Sequence, residues 1–152
     1  MKNLKILLFI TLMSSLCLTA QNKTTKKADK QFLRYEFVKA AESYNEIIEN
    51  GKGNNYVYTQ LAESYYNIFN TVEAERWYSK ALESSDNPEM VYKYAEMLRA
   101  NGKYEASNQQ MESFASMLPS DNRAIAFQKN PDYLPKILEK GKKFSVKNED
   151  FN

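Results

Sequence analysis

The 152-residue chain contains no histidine. That removes the commonest general base and metal ligand, and every catalytic triad built on an imidazole. Cysteine occurs once, at Cys17, inside an apolar N-terminal stretch. A chain shortened after Ala20 would carry no thiol, so neither disulfides nor zinc sites of the usual kinds are expected. Glycine is scarce, with four residues in all, and no glycine-rich phosphate loop is present. An excess of one charge sign is missing too. Lysine and arginine number 21 against 19 acidic residues, and loss of Lys2 and Lys5 with a leader would leave 19 of each. A balanced surface argues against nucleic acid, and against electrostatic docking on anionic lipid. No apolar run is long enough to span a membrane, which takes roughly 20 residues.

What chemistry-bearing side chains remain are carboxylates and hydroxyls. Glu42/Glu46 and Glu73/Glu75 are spaced as on solvated helix faces, and Ser79-Lys80 point in different directions on a helix. None forms a catalytic constellation, so the chain is expected not to be an enzyme and to use no cofactor or metal.

The N-terminus has the form of a secretory signal over residues 1–20. Lys2 and Lys5 begin it, Ile6 to Leu18 is mostly apolar, and Leu18-Thr19-Ala20 offers a cleavage site before Gln21. Lipid attachment at Cys17 would want a small residue just before it and a leucine three before it, where Leu16 and Ser14 stand. The expectation is therefore an exported, cleaved chain.

Beyond the leader the pattern is helical. Lys23, Lys26, Lys27 and Lys30 suit a solvated helix start, and apolar residues at helical spacing run through Phe32–Ile48. Gly51 to Asn55 breaks the pattern. Tyr56–Phe69 and the segment holding Ala74, Trp77, Tyr78 and Ala81 form the next pair, joined at Asn70-Thr71. Asn87-Pro88 caps and opens another helix through Ala100, Asn101-Gly102 turns, and Tyr104–Met117 returns to Leu118-Pro119. A short helix from about Asn122 to Lys129 follows the capping pair Ser120-Asp121, and there the periodic pattern is expected to fail. Residues 141–152 alternate around Phe144 and Val146 like the start of a strand.

These segments repeat. Ala28, Ala62 and Ala95 recur at steps of 34 and 33 residues, as do Ala40, Ala74 and Ser107, and Tyr44, Tyr78 and Met111. A period in the mid-thirties signals stacked helical hairpins, since one hairpin cannot bury its apolar face alone. The copy from Asn55, with Leu61-Ala62, Tyr65, Ala74, Tyr78 and Ala81, and the copy from Pro88, with Tyr94-Ala95, Leu98, Gly102, Tyr104, Ser107 and Pro119, resemble the tetratricopeptide repeat (TPR). The resemblance implies an all-α, right-handed stack of antiparallel helix hairpins, a TPR-like α-solenoid of about 2.5–3 repeats over residues 21–119. A C-terminal capping helix and turn would occupy residues 120–140. Phe114 departs from the pattern, standing where a small residue is usual, so an adjusted helix crossing is expected there.

A wider resemblance rests on Lys26 to Lys30, Val38-Lys39-Ala40-Ala41, Trp77-Tyr78, Gly102-Lys103-Tyr104 and Asn130 to Leu134. These runs are similar to the N-terminal module of Bacteroidota OmpA-family outer-membrane proteins. The resemblance implies a periplasmic location at the outer membrane. It also implies a β-barrel partner of PorP/SprF type in a type IX secretion or gliding context, with the tail as the start of a following β domain.

In TPR arrays the first helix of each hairpin lines the concave face. That resemblance implies groove positions at Tyr56, Thr59, Glu63, Tyr66 and Asn67 in one copy and Tyr92, Glu96 and Arg99 in the next. Exposed aromatics and arginine are the residue types that anchor interfaces. Tyr66 and Tyr92 could instead cover the neighbouring helix, leaving the chain as a spacer. The positions where some family members grip a C-terminal carboxylate with lysine and asparagine hold Thr25 and Asp29, so that clamp is not expected.

Overall fold

The computed structural model describes residues 23–131, 136–137 and 139–140. The leader, Cys17 and the alternating tail lie outside the described residues. Among the described residues the helices are α1 over 23–33, α2 Phe37–Glu49, α3 Asn55–Asn67, α4 Thr71–Leu82, α5 Pro88–Ala100, α6 Tyr104–Met117 and α7 Asn122–Lys129. Residues 136–137 and 139–140 are helical again, and no strand occurs among the described residues. The chain divides into two compact units, the first ending at Ser85 and the second beginning at Asp86. This boundary, between α4 and α5, is not marked in the repeat pattern, which runs across it.

Short polar side chains start α3, α4, α5 and α7. Asn54 accepts from the Val57 N–H at 3.1 Å, Asn70 from Glu73 at 3.3 Å, Asn87 from Glu89 at 2.9 Å, and Asp121 from Arg123 at 2.8 Å. Each satisfies an N–H that the first helical turn would leave without an acceptor. Pro88 opens α5, where its missing N–H is not needed. The starts of α3, α5 and α7 at Asn55, Pro88 and Asn122 are 33 and 34 residues apart. The period therefore continues through α7, contrary to the expected failure. What changes is length, because α7 has 8 residues where α3 and α5 have 13.

The helix pairs turn by one device. Glu36, Asn70 and Lys103 donate their N–H groups to Gln31, Tyr65 and Leu98, five residues back, while the preceding residue bonds three back. These paired bonds close the last turn of the first helix and require a left-handed residue between the helices. That residue is Tyr35 (φ 60), Phe69 (φ 57) and Gly102 (φ 77), which share one register. Phe32–Ile48 is accordingly not one helical run: α1 ends at residue 33 and α2 starts at Phe37. The break escapes the sequence pattern because a tyrosine sits where glycine is usual. A residue with a Cβ accepts this backbone at a cost of about 1–2 kcal/mol.

In the first unit α2 packs on α3 and α3 on α4. Ala28, Ala40, Ala62 and Ala74, at the small positions of the repeat, are buried with Tyr44, Leu61 and Tyr78. In the second unit α6 packs on both α5 and α7, and the Ser107 hydroxyl donates to the Ala95 carbonyl at 2.7 Å. Phe114 is accommodated there as a fully buried ring. It lies 5.2 Å from the Tyr92 ring, and the Arg123 guanidinium caps it at 4.9 Å.

Candidate partner-binding faces

A carboxylate follows the small residue of each first helix: Asp29 after Ala28, Glu63 after Ala62, Glu96 after Ala95. In the first two copies it accepts a phenol from the helix that returns. Tyr44 donates to Asp29 Oδ1 at 2.7 Å, and Tyr78 donates to Glu63 Oε1 at 2.9 Å, both across 15 residues of chain. In the third copy Met111 replaces the phenol. Tyr92 then donates to Glu96 Oε1 at 3.2 Å from one turn earlier on α5, and Arg99 donates to the same oxygen at 3.0 Å.

Asp29 gathers donors from three helices. It accepts Thr25 on Oδ2 at 2.7 Å, and Tyr56 as well as Tyr44 on Oδ1, the Tyr56 contact at 2.9 Å. The Tyr56 bond ties α3 to α1, so the two first helices of this unit lie side by side. Burial pushes the Tyr44 hydroxyl up from its ordinary value, and the bond to Asp29 and its charge add to the shift. The same causes in the same order hold Tyr56 up to about 12. Burial, then the charge of Glu96, raises Tyr92. All three phenols thus stay protonated as donors near neutrality, which suits recognition and not proton transfer.

Asp29→Ala should leave the buried Tyr44 hydroxyl without this acceptor and lower unfolding free energy by about 1–3 kcal/mol. Chemical denaturation of the single variants and of the Asp29→Ala/Tyr44→Phe pair checks it. The double loss should be smaller than the sum, and simple additivity would mean the bond carries no coupling.

The expected groove residues fall in two sets. In the first unit Tyr56 is 39% exposed, Glu63 and Tyr66 are half-buried and Asn67 is exposed. Tyr66 sets its ring edge against Tyr78 at 6.2 Å, and Asn67 donates to the Glu63 carbonyl of its own helix at 2.7 Å. Thr59 is half-buried and bonds back to the Asn55 carbonyl at 2.8 Å. In the second unit Tyr92 and Glu96 are half-buried and Arg99 is exposed. The Tyr92 ring touches Phe114, and the Arg123 guanidinium lies over both rings, 4.3 Å from the Tyr92 centroid. Arg123 is fixed in turn by Asp121 and by Glu89, at 3.0 and 2.9 Å.

Beside this second set opens a cavity of about 590 Å³, lined by Tyr92 and Arg99 from α5, Tyr104, Ser107, Asn108 and Met111 from α6, and Arg123, Ala126 and Phe127 from α7. Among the described residues it lies where α5, α6 and α7 meet, with Asn130 and Pro131 at the end of α7 also lining it. Asn108 donates to the Pro131 carbonyl at 3.3 Å and holds the rim. A second cavity, about 620 Å³ between α1 and α2, is lined by Lys23, Lys27, Lys52 and Glu46 among others and includes none of the expected groove residues.

Sequence reading passed over Asp29, Met111, Arg123 and Phe127. In the sequence Asp29 stands out only at a position of a carboxylate clamp that is not expected, where its charge would repel a carboxylate. Its signal was the repeat register itself, one position after each small residue. Among the described residues no cluster of acidic or sulfur side chains is placed to hold a metal, and no helix is long and apolar enough to cross a membrane.

No protein-family model and no curated protein matches the chain. Solved structures do. The second TPR domain of human RPAP3, determined in complex with the HSP70 peptide SGPTIEEVD, superposes with a TM-score of 0.60 at 20% identity. The match covers 71% of this chain and 92% of that one. The Sgt2 TPR domain from Aspergillus fumigatus superposes with a TM-score of 0.58 at 12% identity, over 88% of this chain and 89% of that one. The helical hairpins of this chain therefore have a TPR-like, all-α solenoid fold.

Proposed function

We propose that the chain is a non-catalytic protein-interaction scaffold, exported to the periplasm and acting there as the partner-binding module of an outer-membrane OmpA-family assembly. The observation that carries the binding reading is the α5–α6–α7 cavity. It combines an apolar floor of Met111 and Phe127 with the Tyr92 ring and the exposed Arg99, and its volume suits an inserted peptide side chain. The solved RPAP3 neighbour holds a peptide, which supports the same class of partner here. The residues proposed to contact the partner are Tyr56, Glu63, Tyr66, Asn67, Tyr92, Glu96 and Arg99. Export rests on the leader, and the proposed β-barrel partner of PorP/SprF type rests on the family resemblance.

A spacer that only positions another domain is favoured by one observation: Tyr66 and Tyr92 both rest on rings of their own hairpins. Photo-crosslinking in cells separates the two readings. A crosslinker at Arg99 or Tyr56 should capture an outer-membrane β-barrel, whereas one at Ser79 or Lys80 should not. Met111→Arg, which fills the cavity with charge, should weaken capture at least about tenfold, equivalent to about 1.4 kcal/mol. Equal capture from both sets of positions, or none from either, would leave the spacer.

A further inference from the structure

The α1–α2 cavity, about 620 Å³ in volume, takes no part in the proposed partner contacts. Its place in the repeat is informative. In the second copy Tyr58 of α3 and Trp77 of α4 stack across the hairpin, with 5.7 Å between ring centroids. One repeat earlier the same two positions hold Thr24 and Ser43, and both line the cavity. Two small hydroxyl side chains thus stand in the register of two rings, and the opening lies at that place.

Ser43 is the second observation. Thr25, Ser64 and Ser107, the other buried polar side chains among the described residues, all donate, to Asp29 and to the carbonyls of Gln60 and Ala95. Ser43 is only 6% exposed and has no hydrogen-bond partner among the described residues. A buried hydroxyl left unpaired is costly, and what this one can bond lies in the cavity.

Three ammonium groups share the lining: Lys23 and Lys27 from α1, and Lys52 from the loop after α2. Lys27 reaches Glu46 only at 3.9 Å with both side chains exposed, a contact that contributes little. Lys23 and Lys52 make no ion pair among the described residues. The end of α2 does not need them either. The N–H groups of Asn50, Gly51 and Lys52 already cover the carbonyls of Glu46, Ile48 and Ile47. Nor do neighbouring acids cancel the charge. Over residues 23–52 six lysines and Arg34 stand against Asp29, Glu36, Glu42, Glu46 and Glu49, and Asp29 is already bonded by three hydroxyls.

An excess of two positive charges around an unpaired hydroxyl calls for a dianion with several acceptor oxygens. Lysine acts as a point charge, whereas a planar carboxylate is matched best by the fork of an arginine, and no arginine lines this cavity. A phosphate group carries close to two negative charges near neutrality and accepts donors from several directions. Buried Ala28 and Ile47 add an apolar surface beside the cations. We propose that this cavity binds a small organic phosphate monoester. Its head lies among Lys23, Lys27 and Lys52 and accepts from the Ser43 hydroxyl, and its carbon chain rests on Ala28 and Ile47.

A nitrogen–proton NMR titration of the full chain with propyl phosphate tests the proposal. Amide signals of Ser43, Ile47 and Lys52 should move to saturation while that of Met111 stays in place. Lys23→Gln/Lys52→Gln should weaken binding at least about tenfold. Ser43→Ala should weaken it about three- to tenfold without lowering the thermal midpoint, because no protein group depends on that hydroxyl. A purely structural serine would give the opposite pair of results, and that outcome would overturn the assignment. Inorganic phosphate, which lacks the carbon chain, should bind more weakly than propyl phosphate, and succinate should bind more weakly too. Shifts that never saturate, an unchanged affinity in the double lysine variant, or succinate binding as tightly as propyl phosphate would each overturn the proposal. Arg99→Ala should leave the titration as it was, so this site stands or fails apart from the partner-binding cavity.

Discussion

Phe114→Ala should lower the unfolding free energy by about 3–5 kcal/mol, although it restores the small residue that the repeat pattern favours at that position. The ring has no exposed surface, and Tyr92 and Arg123 both pack against it. Its removal would leave a void beneath Tyr92 and take away one of the two aromatic faces that the Arg123 guanidinium covers. Arg123 also bonds Glu89, so the loss would reach the contact between α7 and the start of α5. Denaturant titration measures the effect, with Phe114→Leu, which keeps most of the volume, as the milder companion. If Phe114→Ala proves neutral or stabilising, the repeat pattern describes this crossing better than its packing does.

The second large effect is alkaline. Tyr44 is buried on Asp29 and holds its proton far more firmly in the folded chain than in the unfolded one, where its ordinary value is 10.0. Above that value the unfolded chain binds fewer protons than the folded chain, so stability falls as pH rises. Below it, the contribution of this group is fully present. Tyr56, held up to about 12, acts in the same direction over a narrower window. For Tyr44 alone the slope is about 1.4 kcal/mol per pH unit. Urea midpoints measured from about pH 9 to about pH 12 should therefore drop steeply, with tyrosinate absorbance appearing together with unfolding. In Tyr44→Phe the fall should be shallower. A midpoint that stays level through this range, or falls equally in both proteins, would show that the phenol is already free to ionise.

Much of the architecture was legible because helix starts and small crossing positions are local signals. Asn87-Pro88 and Asp121 cap where such residues should, and the alanines recur at the step that stacked hairpins need. The α1–α2 break was not legible, since turn recognition relies on glycine, proline and asparagine and Tyr35 is none of these. The two-unit division also left no mark. For the candidate faces, first-helix residues such as Tyr92 and Arg99 could be named by register. Asp29 could not be understood until Tyr44, 15 residues away on the returning helix, was seen to need it. The cavity depended on packing: the end of α7 could be read from Asn130-Pro131, but which side chains of α5, α6 and α7 would line one opening could not.

The acid–phenol pairs bear on how the chain acquires its structure. Tyr44 to Asp29 and Tyr78 to Glu63 each join the two helices of a single hairpin, and Ser107 to Ala95 likewise closes over 12 residues. Even the bond from Arg123 back to Glu89 spans only 34. With its ties this close along the chain, little loop-closure entropy has to be lost before native contacts offset it. A hairpin can gain its own buried hydrogen bond as soon as its second helix exists. A chain delivered segment by segment would then meet few long-range searches, and its order of folding could follow its order of arrival.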